Sequence, residues 1–411
     1  MNSNLNRNSS GFLANWFLGY IMVIILLFGV NSSLAQSVNN QIVVGERFTI
    51  ESKILNEKRT YSVYLPASYK NRPEQKYVVA YVLDGERNKF LEVSGIAQSM
   101  HSVQDLKLQI PELIIVSIEN IDRTRDFTPT NSTNYLDRED IAAFKTSGGA
   151  ANFMAFIENE LMPEINSKYR THDQDLIIGH SAGGLFALHC LLENPELFTY
   201  YLIIDPSWFW DHNYIGKRGK EVLQQKTDLK ARVFIGLANN LKDDKRHYQW
   251  GVEFFDLLQK NPSPYLWEAF KYFEDEKHLT VPIPATYYGL RYLFQPYEID
   301  LNEVTENPSV LEEYRKKTSE ELLLEIKPDE WFVNRIGYVA LYDRQIPDAA
   351  ISIFELNTRN YPNSLNVWDS LADAFIVKGY YDKAKSCYER ILELSPTNSN
   401  AKKKLEELKK M

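Results

Sequence analysis

The segment DLIIGHSAGGLFALHC, Asp175 to Cys190, decides how the chain is read. It opens as an apolar run, Leu176–Ile178, and continues with Leu185, Leu188 and Leu191 at helical spacing. Between the two stands Gly179-His180-Ser181-Ala182-Gly183. A serine held at a sharp corner between strand and helix has its hydroxyl pushed outward. Neighbouring backbone then passes so close that glycine is required on either side. This is the G-x-S-x-G nucleophile elbow, and the strand before it and the helix after it are the context the motif needs.

Outward from the elbow, Gly45 to Phe294 alternates strand-like and helix-like segments. RFTIES and RTYSVYLP read as an antiparallel opening hairpin. YVVAYVLDG, ELIIVSIEN, DLIIG, YYLIID, ARVFIGLA and LWEAFKYF read as buried strands. Between them, Phe153, Ile157, Leu161 and Ile165 fall on one helical face. Short apolar runs separated by helices predict an α/β fold: a mostly parallel sheet covered on both faces. In such sheets sites lie beyond the carboxyl ends of the strands, which is where Ser181 falls.

Past QPYEIDLNEVTENP the strands stop. Trp331–Ser364 aligns with Leu365–Asn398. Ala350 matches Ala384, Phe354 matches Tyr388 and Pro362 matches Pro396, each 34 residues on. That period and its small, aromatic and proline positions resemble the tetratricopeptide repeat. The chain thus divides into a signal segment over 1–35, a hydrolase domain over 36–297 and a helical lead-in over 298–330. Two repeats follow over 331–398, then a charged capping helix over 399–411. The abrupt change near Asn302 predicts that the hydrolase domain stands alone there.

The 411 residues are 44% hydrophobic and 13% aromatic, enough for a large core. A net charge of −9 argues against nucleic acid and gives no support for an anionic membrane surface. Trp16–Val30 is an apolar stretch followed by NSSLAQ, with Ser33 and Ala35 fitting a small-x-small cleavage site. The stretch is short of the roughly 20 residues a membrane span needs, so cleavage after Ala35 and export to periplasm or medium are expected. The only cysteines, Cys190 and Cys387, read as small buried residues. No H-E-x-x-H or C-x-x-C occurs, and neither metal nor cofactor is expected.

A serine hydroxyl needs a base, usually a histidine, and a group to orient that histidine. The chain order in this architecture is serine, acid, histidine. Among the histidines after Ser181, His278 follows the last strand on a loop before a new helix, the place the order demands.

The spread of motifs resembles the esterase family of α/β-hydrolases that includes siderophore (enterobactin-type) esterases, feruloyl esterases and S-formylglutathione hydrolases. The matching stretches are YVLDGE (Tyr81–Glu86), RTRDFTPT (Arg123–Thr130), Gly148–Ile165, GHSAGG, DPSWFW (Asp205–Trp210) and His278–Phe294. The resemblance implies Ser181 as nucleophile and His278 as general base. It also implies an oxyanion hole from the N–H of Ala182 and a second donor near Gly85 or Glu86. Trp208, Phe209 and Trp210 follow a strand and either wall a substrate pocket or belong to the core. Arg125 either pairs with Asp126 or holds a charged substrate.

The acid stays open. The strand ARVFIGLA is followed by Asn239 and Asn240, which are amides. Asp244 comes first as the orienter, then Asp243, with Glu274 or a Ser181–His278 dyad as alternatives; Asp244 would otherwise cap a helix. The function these readings give is a serine carboxylesterase acting on a siderophore, feruloyl or acetylated sugar ester. The alternatives are an acyltransferase of the same chemistry, and a repeat scaffold with a vestigial hydrolase domain. The repeat tail is expected to bind a protein partner, another copy or its own catalytic domain.

Overall fold

The computed structural model describes residues 42–102, 107–226, 228–299 and 301–410. The expected signal segment over 1–35 lies outside the described residues. Eight strands form one sheet: β1 Glu46–Ser52, β2 Glu57–Tyr64, β3 Tyr77–Val82, β4 Leu113–Ile118, β5 Thr171–His180, β6 Tyr200–Ile204, β7 Ala231–Ala238 and β8 Leu266–Phe273. Their order across the sheet is β1-β2-β4-β3-β5-β6-β7-β8. Only β1–β2 and β2–β4 pair antiparallel; β3 to β8 run parallel. The expected opening hairpin and parallel sheet are both present.

The central strands are buried on both faces, and their side chains alternate between them with period two. Val78, Ala80, Val82, Leu176, Ile178, Leu202 and Ile204 face one core. Val79, Tyr81, Ile177, Ile203, Val233 and Ile235 face the other. The first layer is closed by α1 (Arg87–Met100), through Phe90, Val93 and Ala97. The second is closed by Phe153, Ile157, Leu161 and Ile165, all buried, from the helical stretch α2 (Ala150–Phe156), a π turn Ile157–Leu161 and α3 (Met162–Lys168). It also takes α4 (Ala182–Glu193), α5 (Tyr214–Leu223) and α6 (Lys245–Lys260).

After β8, α7 (Pro282–Leu293) returns to the first face. Everything beyond is helical: α8 Leu301–Glu306, α9 Val310–Leu322, α10 Glu330–Tyr338, α11 Pro347–Asn360, α12 Leu365–Val377, α13 Tyr381–Leu394 and α14 Ser399–Leu408. The aligned positions Ala350 and Ala384, and Phe354 and Tyr388, are all fully buried. No helix of the described residues is long and apolar enough to cross a membrane.

The tail is joined to the hydrolase layer by core as well as by chain. The apolar cluster that holds Leu202 and Phe234 runs without interruption into Leu322, Phe332, Phe354 and Tyr388. Polar contacts fix the seam. The Tyr200 hydroxyl donates to Leu322 O. The Arg232 guanidinium donates to Leu293 O (2.8 Å) and Glu321 O (3.0 Å) and lies 4.3 Å over Trp267. Arg72 pairs with Asp329. Tyr200 opens β6, Arg232 is second in β7 and Trp267 second in β8, so this seam runs along the amino ends of the strands. The elbow is at the carboxyl ends. At roughly 3.3 Å per residue the five residues of β6 alone put ~17 Å between them.

Candidate active site

Ser181 stands where β5 ends and α4 begins, with φ 58° and ψ −118°. A non-glycine residue holds such backbone only where its surroundings impose it, and such residues cluster at functional sites. The glycines are required by space. A Cβ on Gly179 would sit 2.2 Å from Gly183 O, and one on Gly184 would meet the Pro206 ring at 2.9 Å. The elbow brings the Ala182 N–H to the first position of α4. There it has no carbonyl a turn behind it to bind, and the helix dipole is positive.

His278 reaches the serine from the loop between β8 and α7. Its Nε2 lies 3.1 Å from Ser181 Oγ. Its Nδ1 lies 2.5 Å from Asp205 Oδ2. Asp205 is the residue after β6, the strand beside the elbow strand, and its side chain is wholly buried. Burial alone would raise its carboxyl, but hydrogen bonds from His247 and His278 outweigh it and hold it far below the usual range. Asp205 is therefore an anion, and both imidazoles donate to it.

The expected acids are elsewhere. Asp244 caps α6, accepting from Arg246 N (2.8 Å) and from the Arg246 guanidinium. Asp243 and Glu274 are exposed. The structure brings Asp205, not Asp244, to His278, and the reason is local. A carboxylate is absent from the end of β7 because the groups there serve Asp205. Ala238 N donates to its Oδ1 (3.0 Å) and Asn240 Nδ2 to its Oδ2 (2.8 Å). Asn239 instead ties the β8 turn, donating to Glu274 O (2.8 Å) and through its N–H to Glu276 O (2.8 Å). The missed residue was visible in DPSWFW, one residue past a strand and between Ser181 and His278 in chain order.

The elbow's own histidine supports the His278 backbone. His180 Nε2 lies 2.9 Å from His278 O, and the two rings pack with centroids 4.6 Å apart. Burial first, then the neighbouring His278 charge, push His180 down to about 4. It is neutral at ordinary pH and donates through Nε2 to that carbonyl. Ser207 Oγ lies 3.4 Å from Ser181 Oγ, and Ser207 N donates to Ser181 O (3.0 Å).

The other expected positions divide. The Gly85 N–H already donates to Ile118 O (2.7 Å), and a Cβ there would meet Ile118 N at 2.3 Å. Gly85 thus shapes the turn, while the next N–H, Glu86, stands at the cap of α1. Trp208 and Trp210 are buried and are core. Trp208 packs on Phe254, and Trp210 donates to Thr130 Oγ1 (3.1 Å). Phe209 alone of the three lines a cavity of about 290 Å³, with His212, Lys217, Arg246 and Trp250. Arg125 is spent on Glu57 (2.6 Å) and Asp126 (2.7 Å). Asp126 in turn pairs with buried Arg59 (2.7 Å), so the cluster is a structural one. Among the described residues no cluster of ligating side chains suits a metal ion.

A mostly parallel eight-stranded sheet with a serine elbow at its carboxyl edge defines an α/β-hydrolase. A family model described as "Putative esterase" matches residues 52–272. Ferri-bacillibactin esterase BesA of Bacillus subtilis is 33% identical over 257 residues, which cover 59% of this chain and 87% of that protein. An IroE-like serine hydrolase from Shewanella oneidensis superposes with a TM-score of 0.69 at 28% identity, covering 77% of this chain and 99% of that one. The BES protein from Bacillus cereus superposes at 0.53 with 26% identity, over 61% of this chain and 97% of that one. The chain belongs to this esterase family and is a carboxylic ester hydrolase.

Proposed function

We propose that the protein cleaves its ester through an acyl-enzyme on Ser181, with His278 as general base and Asp205 as the acid that orients it. The observation that carries this is the hydrogen-bonded line Ser181 Oγ–His278 Nε2 (3.1 Å) and His278 Nδ1–Asp205 Oδ2 (2.5 Å). Ser181 Oγ attacks the ester carbonyl while its proton passes to His278 Nε2. The oxyanion is held by the N–H groups of Ala182 and Glu86. Collapse breaks the bond to the alkoxy oxygen, and His278 returns the proton to the departing alcohol. Water, deprotonated by His278, then attacks the acyl-serine; carboxylic acid leaves and Ser181 regains its proton.

The substrate is a siderophore ester. The likeness to a ferri-bacillibactin esterase over most of that protein's length supports this. The apolar Trp16–Val30 stretch supports export. The 34-residue spacing of buried Ala350/Ala384 and Phe354/Tyr388 supports a tetratricopeptide tail. Two measurements test the reading: fluorophosphonate labelling, and hydrolysis of ferri-bacillibactin beside a p-nitrophenyl ester. Ser181→Ala abolishes labelling and both hydrolyses. Wild-type turnover in that variant overturns the serine mechanism. Cleavage of the aryl ester alone overturns the substrate.

A further inference from the structure

Asp205 carries more than a triad acid needs. A carboxylate has about four lone-pair sites, and here all four are filled with no solvent contact. Oδ2 takes His278 Nδ1 (2.5 Å) and Asn240 Nδ2 (2.8 Å). Oδ1 takes Ala238 N (3.0 Å) and a second imidazole, His247 Nε2, at 2.8 Å. His247 sits in the first turn of α6, and its own N–H donates to Asp244 O (3.3 Å). Asp244 is therefore tied to the site at one remove: it caps the helix that delivers His247.

We propose that His247 is a positioning residue for the reaction: an imidazole that donates through Nε2 to Asp205, fixes the plane of its carboxylate and shares its charge with His278. The proposal rests on the Ser181–His278–Asp205 assignment above. Three donors, from His247, Ala238 and Asn240, bracket the carboxylate so that the remaining Oδ2 lone pair points at His278 Nδ1. Without His247, Oδ1 keeps one donor and the carboxylate is free to turn about its last torsion. A buried acceptor that loses its donor is destabilising, and the group relaxes to recover a bond. His278 then loses its fixed tautomer and direction. KM is expected to hold, because His247 spends its Nε2 on Asp205 and its backbone N–H on Asp244.

The other charged groups that meet this corner are few. Asp244 faces His247 from the start of α6. Lys277, beside His278, donates to Asn239 O (3.4 Å). Arg246 turns away to Asp137 and Asp244. From β8, Tyr272 packs on Tyr248, the residue after His247. From α5, Lys217 and Lys220 reach the cavity on the Arg246 side.

Two measurements on the full chain test this. Turnover of a p-nitrophenyl ester is compared in wild type, His247→Ala and His247→Gln, since the glutamine amide can reach the Nε2 position with a donor but no titratable charge. Ala lowers kcat about 10- to 100-fold with KM within threefold of wild type, and Gln restores kcat to within about fivefold. The second is the ¹H NMR signal of the His278 Nδ1–H proton held by Asp205, which needs no turnover. The signal is kept in wild type and His247→Gln and lost in His247→Ala. Wild-type kcat in the Ala variant, equal losses in Ala and Gln, or an unchanged His278 Nδ1–H signal in the Ala variant overturns the proposal. Hydrolysis surviving Ser181→Ala would instead refute the serine assignment, and the NMR arm would still decide the positioning.

Discussion

Asp175, six residues before the nucleophile, is a carboxyl that the fold buries at a cost. It lies on β5, is 7% exposed, and its Oδ1 has no hydrogen-bond partner among the described residues. The Tyr81 hydroxyl next to it is equally unpartnered. Burial first, then the charge of Asp173, raise the Asp175 carboxyl from 3.8 to about 8. A group whose folded value is raised stabilises fully below its unfolded value and loses that contribution as pH rises through the folded one. The loss here runs from about pH 4 to about pH 8. Four units at about 1.4 kcal/mol each set a ceiling of about 6 kcal/mol; relaxation of the site brings the realised figure to roughly 2–3 kcal/mol. Asp175→Asn keeps the shape, removes the titration and gives Tyr81 an amide to pair with. At about 2.1 cal/mol/K per residue over roughly 370 residues, that gain raises Tm by about 3 °C at pH 8. Differential scanning calorimetry of both proteins from pH 4.5 to 8.5 reads it. The gain is near zero at pH 4.5 and grows with pH, while ester turnover is unchanged because ~20 Å of strand separates the position from Ser181. A difference between the two proteins that does not grow with pH refutes the reasoning.

Three other outcomes follow from the geometry. Asp205→Asn lowers kcat by ~10⁴, the cost of a wrong tautomer in a serine triad, while Asp244→Asn lowers it less than tenfold; steady-state kinetics on one ester separates them. Arg232→Ala strands the carbonyls of Leu293 and Glu321 in the seam and costs about 2–4 kcal/mol in urea unfolding, with kcat of the folded protein unchanged. His180, held near 4, and His172 and His189, lowered by burial, are neutral in the fold and charge on unfolding. Their contribution is complete above about pH 6.5 and lost as pH falls toward 4, so the denaturation midpoint drops across that window.

The sheet was legible because its physics is periodic. Continuous apolar runs such as YVVAYV and LIIVSI mark strands covered on both faces, and nothing in their neighbourhood competes with that reading. Ser181 and His278 were legible for a related reason: each is a chemically distinctive residue at a strand end. Asp205 was harder because its neighbours in space are not its neighbours in sequence. The strand whose end should carry the acid offers Asn239 and Asn240, and their role is clear only once Asn240 is seen donating to a carboxylate on the adjacent strand. His247 was hidden in the same way, since LKDDKRH reads as a charged helix start. The aromatic trio divides between the two readings: Trp208 and Trp210 are taken by the core, while Phe209 between them lines a cavity.

The seam at the amino ends explains why the tail and the site can vary independently in their demands. The corner at the carboxyl ends draws on β5, β6, β7, the turn after β8 and the first turn of α6, each fixed by a neighbour: Asn239 ties two turns, Asp244 caps the helix, His180 clamps the His278 backbone. The opposite ends of β6, β7 and β8 carry Tyr200, Arg232 and Trp267, whose polar atoms and rings are spent on the tail. The sheet therefore transmits stability from the tail to the site without lending it a catalytic group. Cutting the chain after Tyr297 exposes Leu202 and Phe234's shared core and leaves Arg232 without Glu321 O, so the truncated hydrolase unfolds at a lower temperature than the full chain. Its Ser181–His278–Asp205 corner is left whole, and kcat per folded molecule, titrated with fluorophosphonate, stays within about threefold. A truncate that folds as stably as the full chain, or one that folds and does not label, would show that the two ends of the sheet are not divided in this way.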